Sequence, residues 1–292
     1  MEASLVGSEM CIRDSNMDVN GTLEVDAFSG LSQGFQLGSF QNNNRPTGIG
    51  AGTIIWNDEE GEVQVWNGSD WINIAKKTVT GLAVTAGLRL WYDGDSWSPS
   101  ENRWLDKSGN NNHSQNTTGT VTQATWPGGN GGNNTSWKYI YGNTNAGVRL
   151  GYWPGGNDYT FFHLSRYNGG NRQRIWQGTS GNWLSAHWGG GSGRFYHGGW
   201  LSSSGTNYFG DDWFITMDQR SLVRTNRGTY QFTGGGNFSP SGVAINNSGS
   251  GGCCNSSERS DWATAFVAVY DRALSSGEYQ QIENYMYNTY LA

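Results

Sequence analysis

The sequence predicts an all-β chain: a two-sheet antiparallel sandwich with one C-terminal helix, preceded by a small β-meander module. Three observations carry that reading. Glycine is abundant, at 45 of 292 residues, aromatic residues are dense (15 Trp, 14 Tyr, 11 Phe), and charged residues make up only 14%. Short apolar runs recur about every 8–12 residues between Gly, Asn and Ser turns, which is sandwich spacing. One stretch near the C-terminus switches to helical periodicity.

The bulk numbers also exclude classes. Low charge with many aromatics is not the composition of a disordered segment. A net charge of −6 and a pI of about 5.2 argue against a phosphate-tracking surface, so no nucleic-acid partner is expected. No apolar run approaches the ~18 residues of a spanning helix, so no membrane association is expected. No signal-peptide pattern is visible.

Residues 1–15 are set apart from the fold. Residues 5–15 read LVGSEMCIRDS. Residues 4–15 resemble the translation of a transposase adaptor used in sequencing libraries, and a segment of that origin is excluded from fold reasoning. That resemblance implies a truncated gene from environmental sequencing, and it removes Cys11 from the cysteine count.

Residues 16–80 form the first module. Strands are expected at 53–56, 62–66 and 71–75, with the last two joined through Asn67-Gly68, a dipeptide that supplies two positive φ angles in a tight hairpin. Upstream, NGTLEVDAF and GFQLGSF alternate but are interrupted by Gly and Asn. Strands this thin bury little, so an attachment and oligomerisation module is expected, with a homo-oligomer such as a trimer as its product. The string GTIIWN…EVQVWNGSDWINI is similar to short modules repeated in tail-fibre and other structural proteins of bacteriophages, and bacterial surface proteins carry similar stretches.

Residues 81–292 form the second module. Leu88, Leu90 and Tyr92 alternate as in a half-buried strand. Further strands are expected at 137–141, 148–152, 159–166, 173–177, 182–187, 212–217, 221–225, 229–232 and 242–245. The most apolar run, TAFVAVY at 264–270, should be a central strand. Ser275 and Glu278 have capping-box spacing, Leu274 can staple onto Tyr279, and Tyr279, Ile282 and Met286 line one helix face. The helix is expected to cover an edge or end of the sandwich.

The opening GLRLWYD…WLDKSGNNNH and the closing SDWATAFVAVYDRALSSGEYQQIENYM bracket about 210 residues that resemble the LamG-like, concanavalin A-like jelly-roll family. DWF at 212–214 and RTNRG at 224–228 resemble that family's strand and hairpin before its last third. The resemblance implies two packed antiparallel sheets on an extracellular or virion protein that binds glycans or proteins. Fold alone does not assign function.

Catalysis is not expected. Glycoside hydrolysis needs two carboxylates flanking the bond, yet residues 81–292 hold only Glu101, Glu258, Glu278 and Glu283. Asp211 and Asp212, read as adjacent strand residues, would face opposite ways. His113, His163, His187 and His197 have no zinc spacing, so no metal site is expected there. Asp93-Gly94-Asp95 is either a loop for Ca²⁺ or a solvated turn. Cys253-Cys254 is either a vicinal disulfide or two separate thiols.

The candidate ligand-binding stretch is residues 181–201, where Trp183, His187, Trp188, Phe195, Tyr196, His197 and Trp200 lie among seven glycines. Aromatic faces with polar edges suit sugar rings, and glycine permits close backbone approach. Buried core rings with glycines making room for them is the alternative. Trp153, in a second Trp-rich turn, carries the same two readings. The expected function is therefore a non-catalytic virion appendage, tail-fibre-like, whose jelly-roll binds a cell-surface glycan or host receptor. A secreted or surface microbial adhesin and a polysaccharide-degrading enzyme stand as alternatives.

Overall fold

The computed structural model describes residues 38–292 apart from 60–61, 77–80, 157, 237 and 247–255. The adaptor-like segment, the two upstream strands and Cys253-Cys254 lie wholly or almost wholly outside the described residues. The chain divides into two compact units, residues 1–78 and 79–292.

In the first unit, Ile54–Asn57, Glu62–Trp66 and Trp71–Lys76 form the expected meander, and Ser39–Phe40 adds a parallel edge strand. The hairpin differs from expectation. Only Gly68 takes a positive φ, at 104°. Asn67 instead folds its side chain over the turn, accepting from Ser69 N at 2.8 Å and Asp70 N at 2.7 Å. An Asx turn thus does the work assigned to a two-residue hairpin.

In the second unit the described residues form two main antiparallel sheets. The larger runs Tyr230–Thr233, Leu222–Thr225, Phe214–Asp218, Thr160–Tyr167, Trp262–Tyr270, Lys138–Gly142 and Thr122–Thr125, with Leu88–Asp93 also paired to Trp262–Tyr270. The smaller runs Tyr196–His197, Trp183–Ser185, Trp176–Gly178, Val243–Ile245, Gly147–Arg149 and Gln115–Thr118. This is the all-β sandwich with one C-terminal helix.

Strand alternation sorts side chains into two cores. From the Thr160–Tyr167 strand, Phe161 and Tyr167 enter the core between the sheets, while Phe162 and Leu164 enter one shared with the helix. The Trp262–Tyr270 strand does the same across a bulge. Leu164 pairs with Phe266 and Ser165 with Thr264, so Ala265 is the extra residue. That insertion shifts the phase, and Ala265 and Phe266 both join the helix-side core.

The helix Ser276–Tyr290 starts at the expected cap. Glu278 accepts from Ser275 N at 2.9 Å and from Ser275 Oγ at 2.8 Å. Leu274, Tyr279, Ile282 and Met286 are buried together. The helix packs on the outer face of the larger sheet, beside Phe162, Ile215 and Met217, rather than on an edge. Covering both faces explains a second difference. The Leu88–Asp93 strand is not half-buried, because Leu90 and Tyr92 point between the sheets and Trp91 points toward the helix.

The opening motif owes its composition to turn chemistry. Asp106 accepts from Trp91 N, Ser108 N and Asn112 N, each at 2.9 Å, and His113 Nδ1 accepts from Asp106 N at 2.8 Å. One carboxylate therefore organises the whole Asp106–His113 loop. Asp93 caps the turn Gly94–Ser96 and pairs with Lys107, and Asp95 pairs with Lys138 at 3.4 Å. Gly94 is required there, since a Cβ would overlap the carbonyl of Lys138. Each of these carboxylates thus already has a lysine partner.

Candidate functional site

The antiparallel strands of the larger sheet bring one set of ends to a common rim. Tyr230, Phe214, Tyr167 and Trp262 lie at that end, as the register pairs Thr225 with Tyr230, Ser165 with Phe214, and Tyr167 with Trp262. The stretch 181–201 is folded beside this rim, where Gly190 N donates to Arg172 O at 2.6 Å.

The structure divides the predicted ligand residues by burial. Trp183, His187 and His197 are fully buried, as is Phe195. Trp183 stacks on His197 with centroids 5.3 Å apart and planes 12° apart, and its indole N–H donates to Tyr159 Oη at 3.2 Å. Tyr159 in turn donates to Asp218 Oδ1 at 3.2 Å, and His197 faces Asp218 Oδ2 at 3.2 Å and Arg220 O at 3.0 Å. This network lies in the interior, with Trp183, Tyr159, His197 and Asp218 all fully buried. His187 lies between Tyr167 and Phe214, at 4.9 and 5.0 Å, and burial pushes its pKa down to about 3. Trp153 is partly buried but packs against Tyr159, Phe161 and Trp183, at 4.7, 5.6 and 5.6 Å. It belongs to the inter-sheet core. The expected strand 182–187 fails at Ala186, which takes φ 72° and breaks it into Trp183–Ser185 and His187–Trp188. That break turns Trp188 outward while His187 stays inside.

Trp188, Tyr196 and Trp200 come together at the surface. Trp188 and Trp200 lie 5.4 Å apart at 56°, and Tyr196 meets Trp200 edge-on at 5.2 Å. Trp200 is 37% exposed. Arg194 braces the group, with its guanidinium 5.8 Å from the Trp188 ring, Nη1 donating to Trp188 O at 2.8 Å and Nε donating to Thr206 O at 2.6 Å.

A second exposed aromatic group lies on the other side of Arg194 and escaped the sequence reading. Tyr208, 40% exposed, stacks flat on Tyr230 at 3.6 Å and 3°, with Phe232 behind at 6.3 Å. Gly193, at φ 76°, gives Tyr208 its seat, since a Cβ would come within 2.8 Å of the ring. The glycine at this position makes room for a protein ring. Nothing in sequence spacing links Tyr208 to Tyr230, and only the tertiary fold does.

The four glutamates of the second unit are ion-paired. Glu101 pairs with Arg103, Glu258 with Arg174 at 2.6 Å, Glu278 with Arg272 at 2.6 Å, and Glu283 with Arg224 at 3.0 Å. Arg272 and the Ser275 cap hold the Glu278 carboxyl down at about 2. Burial raises Glu283 despite Arg224. Asp211 and Asp212 precede the strand rather than sitting in it, and Asp211 pairs with Arg172. Among the described residues no group of three His, Cys, Asp or Glu side chains could hold a metal ion, and no helix is long and apolar enough to cross a membrane.

No family model matches the chain, and no curated protein matches it. Solved structures do show likeness. The binding domain of Paraclostridial Mosquitocidal Protein 1 aligns at 15% identity and TM-score 0.43, over 69% of this chain and 53% of that one. The receptor-binding domain of botulinum neurotoxin C/D mosaic serotype aligns at 11% identity and TM-score 0.41, over 68% and 51%. Domain 4 of AbnA, an extracellular arabinanase from Geobacillus stearothermophilus in complex with arabinotriose, aligns at 15% identity and TM-score 0.41, over 68% and 98%. The alignments thus span about half of each of the first two chains.

Proposed function

We propose that this chain is a non-catalytic recognition protein whose sandwich binds a cell-surface glycan or glycan-bearing receptor through the rim surface around Arg194. The observation that carries this reading is the aromatic group Trp188–Tyr196–Trp200, in which Trp200 is exposed and Trp188 and Tyr196 are half-buried, braced by Arg194 and flanked by the Tyr208–Tyr230 stack. Rings held in place before binding lose little conformational freedom on contact, and their apolar faces suit the C–H faces of sugars. The ion-paired state of Glu101, Glu258, Glu278 and Glu283 supports the non-catalytic reading, since none stands free beside a second acid.

The finer reading is a virion appendage of tail-fibre type, working outside a cell, with the first unit for attachment and self-association. The meander supports it by presenting Ile54, Val65 and Ile72 in cross-strand register, with Ile54 and Ile72 exposed. A microbial surface adhesin is the alternative, separated from the first by whether capsid or tail genes flank the coding sequence.

A glycan array probed with the whole chain tests the binding reading. Trp200→Ala should weaken the strongest signal at least tenfold, about 1.4 kcal/mol, while the unfolding midpoint stays within a few degrees. Binding unchanged in Trp200→Ala and Tyr208→Ala would sink this surface as the site. Reducing ends released from any arrayed polysaccharide would overturn the non-catalytic assignment.

A further inference from the structure

A groove at the far side of the same rim has the chemistry of a sugar site. It is an open groove of about 280 Å³, lined by Thr120, Thr122, Tyr141, Gly142, Asn143, Asn168 and Asp261. Four strand ends make it. Tyr141 pairs with Thr122 at the sheet edge, Gly142 pairs with Trp262, Asn168 follows Tyr167, and Asp261 precedes Trp262. In sheet order, Lys138–Gly142 stands five strands from Tyr230–Thr233. The groove and the aromatic surface share no lining residue.

Asp261 is held rigidly. Its backbone N–H donates to Asn171 O at 2.8 Å, its carbonyl accepts from Asn168 N at 3.0 Å, and its Oδ2 accepts from Asn171 N at 2.9 Å and Asn171 Nδ2 at 3.0 Å. Both side-chain bonds fall on Oδ2, which leaves Oδ1 as an acceptor. Tyr141, half-buried and leaning on Tyr139 at 5.8 Å, supplies an aromatic face. The Thr120 and Thr122 hydroxyls and the Asn168 amide add donors and acceptors.

We infer that this groove binds a single neutral pyranose ring, with Asp261 accepting from vicinal hydroxyls and Tyr141 packing on a ring face. The inference rests on the glycan-binding reading and adds a second, smaller subsite to it. A carboxylate with no cation among the lining residues selects against anionic sugars, because bringing a second negative charge to it is repulsive. The volume of about 280 Å³ falls just below the range of roughly 300–1,000 Å³ typical of drug-sized ligand pockets, which suits one ring rather than a chain.

The test is a ¹H–¹⁵N titration of the whole chain with the methyl α-glycosides of glucose, mannose and galactose, and with glucuronate as the anionic probe. At up to about 50 mM, well above a millimolar Kd, at least one neutral glycoside should shift the amides of Thr122, Tyr141, Asn143 and Asn168. Glucuronate should bind at least tenfold more weakly. Asp261→Asn and Thr122→Val should each weaken the neutral glycoside severalfold, and Tyr141→Ala should abolish the shifts, with the remaining spectrum reporting an intact fold. Shifts confined to residues around Trp188 and Trp200 would overturn the groove and leave the aromatic surface standing. Absence of any shift overturns the groove too, while the array decides the aromatic surface separately. Equal binding of glucuronate would refute the selectivity argued from Asp261.

Discussion

The two units differ in how much apolar surface they bury. In the sandwich, Trp104, Trp176, Trp183 and Trp262 have no exposed surface, whereas in the meander Asn57 and Gln64 are buried, bonded to each other at 3.0 Å, while Ile54 and Ile72 remain 45% and 46% exposed. Apolar area removed from water is the main source of stability. The sandwich therefore carries its own stabilisation, and the meander leaves much of its apolar surface unused. Ile54 and Ile72 flank Val65 across three strands, an apolar row of the kind an interface between chains uses, which fits the self-association proposed for this unit.

The largest expected effect lies in the sandwich core. Trp104 stacks on Tyr92 at 5.2 Å and donates its indole N–H to Asp93 O at 2.5 Å. Trp104→Ala should cost about 3–5 kcal/mol in denaturant unfolding, and a cost below 1 kcal/mol would contradict the division drawn above. Next comes a buried ion pair between helix and sheet. Arg224 donates to both Glu283 oxygens, at 3.0 and 3.1 Å, and lies over Tyr279 at 4.7 Å. Glu283→Gln should cost about 3 kcal/mol, since it leaves the guanidinium buried without its counter-charge. A midpoint unchanged in urea would show that the pair contributes little.

A smaller, graded effect should appear on acidification. Burial lowers the pKa of His163 and His187, the latter to about 3. The unfolded chain binds these protons below pH ~6.5, and the folded chain does not. Their contribution is thus complete above pH ~6.5 and is lost as pH falls toward 3, at up to about 1.4 kcal/mol per pH unit for each histidine. His187→Phe should flatten that slope between pH 6 and 4, and an unchanged slope would assign it to other groups. Smallest of all, Ile54→Ser in the meander should alter unfolding by less than about 0.5 kcal/mol in the isolated chain. It should nonetheless lower the oligomer mass seen by light scattering. A monomeric parent chain would remove the basis for that expectation.

Much of the fold was legible because local and tertiary signals agreed. The apolar run ending at Tyr270 and the Ser275/Glu278 cap each had one structural solution. The edge strands Gln115–Thr118 and Thr122–Thr125 were missed because QNTT and TQAT carry no apolar period, as suits strands with one side unpaired. The bulge at Ala265 and the positive φ of Ala186 arise from packing that residue type does not encode. At the candidate site, residue type grouped Trp188 and Trp200 with Trp183 and could not tell the partly exposed rings from the buried one, since a single-residue break decides which way a ring faces. Tyr208 with Tyr230, and Tyr141 with Asp261, are meetings between distant segments and leave no mark in linear order.

The Trp262–Tyr270 strand fills the middle of the larger sheet, with Thr160–Tyr167 along one side and both Lys138–Gly142 and Leu88–Asp93 along the other. Among the described strands it is also the last in sequence. Until the ribosome releases it, Thr160–Tyr167 and Lys138–Gly142 each have one open edge and Leu88–Asp93 lacks its strand partner, and such edges pair readily with other chains. Folding of this unit is therefore a late, concerted event dominated by contacts distant in sequence, as slow-folding β topologies are. A nascent chain stopped before Trp262 has no smaller native state to occupy, so quality control during synthesis would meet it as an aggregation hazard.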